Sequence, residues 1–229
     1  MPTRLTLLFD ADDTLWANNH HFERAIERFV LLVAGGAWTE ATVRDELDRV
    51  EEAAWHRGGA GTDAFGRNMR EAAAGIVAAA RLPGVLDAVD TIVGEMATAQ
   101  VALLPGVVDT LADLVTRHVL GIVTRGDAAE QWAKIDASGI GDRFSHIEVV
   151  RDKDEATYRR LVAAWGLDAA TTWMIGNSPR SDILPARAAG LRAVYVPNPS
   201  TWKLEQAELD PADDGVITLG SFEELRGRF

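Results

Sequence analysis

Six short, mostly apolar runs constrain this chain more than any other feature. They are RLTLLF (4–9), VLGIVT (119–124), HIEVV (146–150), TWMIG (172–176), RAVYV (192–196) and GVITL (215–219). Runs that are apolar throughout, rather than alternating, suit strands covered on both faces, as in parallel sheets. Helical patterns lie between them. PGVVDTLADLVTRH (105–118) opens on a proline suited to a first turn, and DEATYRRLVAAWG (154–166) and RSDILPARAAG (180–190) close on glycine. Pro185 inside the last of these predicts a short first turn or a kink. Strand and helix in alternation specify a doubly wound α/β sheet.

Residues 17–101 interrupt that pattern, because no strand-like run occurs there. Four apolar helical faces follow one another instead. They are Phe22, Ile26, Phe29, Val30, Val33; then Val43, Leu47, Val50, Ala54; then Phe65, Met69, Ala72, Ile76, Val77; then Leu86, Val89, Val93, Met96. The glycine-rich segment 57–66 is expected to join the second and third helices and to act as a specificity element. The expected architecture is a Rossmann-like α/β core of residues 1–16 and 102–229, into which a helical-bundle cap, 17–101, is inserted.

Composition narrows the function classes. In 229 residues the net charge is −12, which argues against a nucleic-acid or anionic-membrane surface. There is no cysteine, so disulfides, thiolate catalysis and Cys-ligated metals are excluded. No apolar segment is long enough to span a bilayer, and the expectation is a soluble, cytoplasmic protein acting as a monomer or homodimer.

The first run ends on Asp10, Asp12 and Asp13, three carboxylates within four positions. Such charges repel by roughly 1 kcal/mol even in water. Either they are solvated turn residues or a cation sits among them. Open α/β sheets bind ligands beyond the carboxyl ends of their strands, so the residues after each run matter most. The second run delivers Thr124, Arg125, Gly126 and Asp127, and the third is followed by Lys153. The fourth delivers Gly176, Asn177 and Ser178, with Asp182 close behind.

That ordered set resembles the haloacid dehalogenase superfamily, in its phosphatase branch with a helical cap after the first motif. The Asp-x-Asp-x-Thr motif stands at Asp10, Asp12 and Thr14, the strand-end hydroxyl at Thr124, the lysine at Lys153 and the acidic loop at GNSPRSD. The resemblance implies a phosphatase of small phosphorylated metabolites. Asp10 would be the nucleophile forming an aspartyl phosphate, and Asp12 the general acid–base. Thr124, Arg125, Gly126 and Lys153 would bind phosphate. Mg²⁺ would be held by Asp10, the main-chain carbonyl of Asp12 and Asp182. Asn177 stands where the family usually has Asp; it offers a carbonyl oxygen without charge, to the metal directly or through a water.

Rival readings are a 2-haloacid dehalogenase, a phosphomutase and a phosphoacceptor signalling domain. Dehalogenases of the superfamily carry a non-acid at the second motif position, and Asp12 argues against them. Receiver-type signalling domains are about half this length and lack an inserted bundle. Asp13 is expected to orient the loop, and Asp182 could alternatively cap its helix. The His20–His21 pair and Trp202–Lys203 are expected to be linker and surface residues, and Arg180 either a surface residue or an aid to phosphate binding.

Overall fold

The structure, a computed structural model, describes residues 4–55 and 61–229. The chain packs as two compact units, one formed by residues up to Asn19 together with Val101–Phe229, the other by His20–Gln100.

The first unit is built on strands β1 (Thr6–Phe9), β4 (Val119–Arg125), β5 (His146–Val150), β6 (Thr172–Gly176), β7 (Arg192–Tyr195) and β8 (Val216–Thr218). They form one six-stranded sheet in the order β5-β4-β1-β6-β7-β8, and every pairing is parallel. Consecutive residues of a strand face opposite sides. Leu7 and Phe9 enter one core with Ile122, Trp173 and Ile175, whereas Leu8 enters another with Val123, Tyr158 and Met174. Both faces are covered, which is why the strands read as unbroken apolar runs. Since all strands run one way, their carboxyl ends share an edge, and the strand order reverses direction at β1, between β4 and β6.

The helices of this unit start and stop where side chains satisfy their ends. Asp127 accepts from Glu130 N, 3.0 Å away, to open α6 (Ala128–Ser138). Asp154 accepts from Thr157 N at 2.7 Å to open α7 (Glu155–Trp165). These are N-caps for otherwise unpaired amides. The stretch expected as one helix over 180–190 is not uniform. Pro179–Ile183 forms a wide π-type turn before the short α8 (Leu184–Ala188). Ser178 O accepts from both Asp182 N at 2.9 Å and Ile183 N at 3.2 Å. Pro185 has no N–H to extend the pattern.

Two very short strands were not legible in the sequence. β2 (Trp16–Ala17) and β3 (Ala102–Leu103) pair antiparallel, joining the segments where the chain leaves and re-enters this unit. Two residues are too few to show a period, and buried Trp16 belongs to the sheet core.

The second unit consists, among the described residues, of α1 (Asn19–Val33), α2 (Glu40–Trp55), α3 (Thr62–Ile76) and α4 (Leu82–Ala97). Its core is separate and includes Ile26, Phe29, Val43, Leu47, Phe65, Met69 and Val89. In α4 the buried edge is Val85, Val89 and Ile92, one position away from the expected Leu86, Val93 and Met96, which pack partly buried. An apolar stripe this wide has two admissible edges, and packing selected one. Residues 57–60 of the glycine-rich segment lie outside the described residues. From Thr62 the expected loop is already helix.

Candidate active site

Asp10 follows β1 directly and its amide donates to Ile175 O at 2.9 Å, so the sheet ladder continues through it. Lys153 Nζ donates to Asp10 Oδ1 and, at 2.7 Å, to Asp182 Oδ1. The lysine and Asp182 side chains are almost completely buried. The π-type turn aims Asp182 back at β6, where its Oδ2 accepts from Ser178 N at 2.9 Å. Gly176 makes that approach possible, because a Cβ there would stand 2.1 Å from Asp182 Oδ2.

Two buried carboxylates thus share one ammonium. Burial, the dominant influence, pushes Asp182 up from 3.8 to about 7; Lys153 opposes the rise and Asp10 adds to it. Asp10 is raised for the same chief reason, again against Lys153. Thr14 Oγ1 lies 3.1 Å from both Asp10 Oδ2 and Asn177 Oδ1, and its single proton serves one at a time. Asn177 Nδ2 donates to Thr201 Oγ1 at 2.8 Å, which turns the amide oxygen toward Thr14.

Among the described residues no group of three or more His, Cys, Asp or Glu side chains forms a metal cage. The side-chain donors gathered here are two carboxylates and an amide oxygen. Oxygen donors with an excess of negative charge suit Mg²⁺, which takes one or two carboxylates and completes its shell with water and phosphate. These residues fit such a cation.

Asp12 faces a different set of partners. Its Oδ1 accepts from Trp16 Nε1 at 2.7 Å, its Oδ2 from Gln131 Nε2 at 2.9 Å, and Lys134 Nζ reaches both oxygens, at 3.2 and 3.1 Å. Thr124 Oγ1 donates to Gln131 Oε1 at 3.0 Å, so the strand-end hydroxyl and Asp12 meet through one buried amide. Lys134 is mostly buried; desolvation alone would lower its pKa, but Asp12 and Glu130 raise it. Sequence reasoning missed Gln131 and Lys134. Their signal was a polar i, i+3 pair on the helix following Thr124, which shares one face.

Arg125 and Gly126 are engaged elsewhere. Arg125 Nη2 lies 2.5 Å from Glu205 Oε1, and Gly126 N donates to Val150 O at 3.3 Å. Glu205, also missed, gathers the Ser178 and Ser181 hydroxyls on its other oxygen, which ties the strand-end arginine to the acidic loop. Arg180 Nη1 donates to Leu204 O at 3.3 Å beside this segment, and Trp202 and Lys203 lead into it.

Asp13 orients the loop. Its carboxylate accepts from Asn18 N and Asn19 N, its carbonyl accepts from Asn198 Nδ2, and it holds a left-handed φ of 61°. Burial chiefly lifts its pKa to about 6, although the two amides oppose that. The His20 and His21 rings lie 3.7 Å apart within the helical unit.

The sequence model of the haloacid dehalogenase-like hydrolases matches residues 5–190. The chain belongs to that family. A solved structure of a haloacid dehalogenase-like hydrolase from Xanthomonas campestris aligns to this hydrolase with a TM-score of 0.81 and 25% identity, covering 98% of this chain and 94% of that one. The 2-haloacid dehalogenase of Pseudomonas syringae aligns at a TM-score of 0.65 over 98% and 97% of the two chains, with 19% identity, a likeness of fold alone. Among curated proteins, the glyceraldehyde 3-phosphate phosphatase of Pyrococcus abyssi is 32% identical over 81 residues, 33% of this hydrolase and 34% of that protein. Matches to curated relatives span between 33% and 54% of their length. No helix among the described residues is long and apolar enough to cross a membrane.

Proposed function

We propose that this hydrolase is a Mg²⁺-dependent phosphatase of small phosphate monoesters, working through an aspartyl phosphate on Asp10. The observation that carries the reading is the second carboxylate. Asp12 stands two residues from Asp10 yet bonds to a separate set of donors, and two acids with different surroundings can take different roles.

In the first half-reaction Asp10 attacks phosphorus, and the bond from phosphorus to the ester oxygen breaks. Asp12, having exchanged one of its donors for the proton it took from water in the preceding turnover, gives that proton to the ester oxygen. In the second, Asp12 takes a proton from water as the water attacks the phosphoryl group, which frees Asp10 and releases phosphate. Thr124 and Lys153 hold phosphate oxygens, and Lys153 offsets charge on the transferring group. Asp10, Asp182, the Asp12 carbonyl and Asn177 would hold Mg²⁺, which when bound supplies positive charge against the phosphate and the Asp10 carboxylate. Arg125, Gly126 and the Thr124 hydroxyl, whose proton is on Gln131, belong to this grip only if they exchange their present partners for phosphate. The helical unit would act as a cap that selects the substrate.

The Pyrococcus relative's name makes glyceraldehyde 3-phosphate a first substrate to try, beside sugar phosphates, phosphoglycolate and nucleoside monophosphates. Phosphate release should be measured over that panel with Mg²⁺ and with excess chelator. Release that depends on Mg²⁺ and is lost in Asp10→Asn is expected. Full turnover in chelator would overturn the reading and favour dehalogenase chemistry, in which the same aspartate attacks carbon.

A further inference from the structure

We propose that Gln131 and Lys134 are positioning residues for Asp12, clamping the acid–base carboxylate from helix α6. The inference rests on the reading of Asp12 as the acid–base group and adds the residues that aim it.

Asp12 lies on the loop after β1, where the backbone alone leaves its side chain free to rotate. Three of its four hydrogen bonds come from α6, one from Gln131 and two from Lys134. Gln131 has a single possible orientation. It is 1% exposed, its oxygen receives the Thr124 hydroxyl and its nitrogen is on Asp12, so reversing the amide would set its oxygen against the acceptor-only Asp12 carboxylate. Lys134 is fixed in turn by Asn18 Oδ1 at 2.9 Å and Glu130 Oε1 at 3.1 Å. The helix itself is anchored at its start by Asp127. A rigid element therefore fixes a group carried on a loop, as acid–base chemistry requires.

The alternative is that these contacts merely hold the fold together. Rate and leaving-group selectivity separate the two. The Lys134 and Asp12 side chains are only 17% and 22% exposed, so removing the lysine costs stability under either reading. Misplacing a reacting group by about 1 Å can cost on the order of 10²-fold in rate. Loss of the clamp should thus register in the chemistry whether or not the melting temperature also falls. It should also register selectively, because only a poor leaving group needs the proton.

The test is a rapid-mixing measurement of the first turnover, with an alkyl phosphate and with an aryl phosphate of an acidic phenol. Wild type, Lys134→Met, Gln131→Leu, Lys134→Arg and Asp12→Ala would be compared. Lys134→Met and Gln131→Leu should each slow alkyl cleavage by about tenfold or more. In Lys134→Met aryl cleavage should change by less than about threefold, and substrate affinity should stay near wild type. Gln131→Leu, which also frees Thr124, should shift the alkyl-to-aryl ratio the same way. Lys134→Arg should recover much of the loss. Parallel loss on both esters, or a loss confined to affinity, would overturn the proposal. Asp12→Ala is the reference: if it leaves the alkyl-to-aryl ratio unmoved, the acid–base reading fails as well. If it moves the ratio while the α6 variants do not, only the clamp is refuted. Thermal melts of every variant identify any that fail to fold, and the two α6 positions then report independently.

Discussion

Lys153 brings one positive charge to two buried carboxylates, Asp10 and Asp182, and this imbalance links stability to pH and to metal. A carboxylate whose folded pKa is raised makes the folded chain bind protons more tightly than the unfolded one. Stability is then lost as pH rises from the unfolded value through the folded one. For Asp182 that window runs from 3.8 to about 7. In chelator, the melting temperature of the α/β unit should fall across it. Added Mg²⁺ should raise the melting temperature more above the window than below, where protons compete for the same oxygens. Asp182→Asn should flatten the pH dependence and raise stability in chelator at about pH 8, by on the order of 1–3 kcal/mol. It should also abolish the Mg²⁺-induced shift. A less stable Asp182→Asn under those conditions would show that the charge imbalance is not what the site carries.

At the scale of elements, the site depends on how β6 gives way to the π-type turn. Gly176 leaves the space into which the Asp182 carboxylate folds back. Gly176→Ala would set a methyl against that carboxylate, and overpacking of this kind costs about 1–3 kcal/mol. Because the displaced atoms belong to Asp182, the expected result is a Mg²⁺ affinity lowered by about 5- to 100-fold with the fold retained. Calorimetric titration and a thermal melt check both halves; unchanged affinity would mean that Asp182 adapts freely.

The same turn marks where sequence reading stopped. The six strands were legible because burial on both faces leaves continuous apolar runs, and α7 because its terminal glycine is a local signal. The π-type turn was not, since a Ser178 carbonyl that accepts two amides leaves no mark in residue order. Strands β2 and β3 were too short to show a period, and the buried edge of α4 was settled by packing. Asp10, Asp12, Thr124, Lys153, Asn177 and Asp182 could be picked out because each ends or follows a strand and together they resemble the ordered motifs of the superfamily. Gln131 and Lys134 showed only a shared helix face and Glu205 no signal at all, because their roles depend on which loop each helix or turn faces.

Across the whole molecule, two units with separate hydrophobic cores divide the chain. All the residues proposed for chemistry lie in the α/β unit, at the carboxyl ends of β1, β4, β5 and β6. With β1 between β4 and β6, the strand order reverses beside Asp10, the kind of crevice where open α/β sheets bind ligands. The account therefore stands or falls on whether Asp10 receives the phosphoryl group. Asp12→Ala should slow the hydrolysis of the aspartyl phosphate, because general-base assistance is worth typically about 10²–10⁴-fold. Its reaction with an aryl phosphate, quenched in acid within the first turnovers and mapped by mass spectrometry, measures this directly. The account predicts a phosphoryl group on the peptide that carries Asp10, absent when Asp10→Asn is added. Steady phosphate release with no phosphoryl group on that peptide, or with one on another residue, would contradict it.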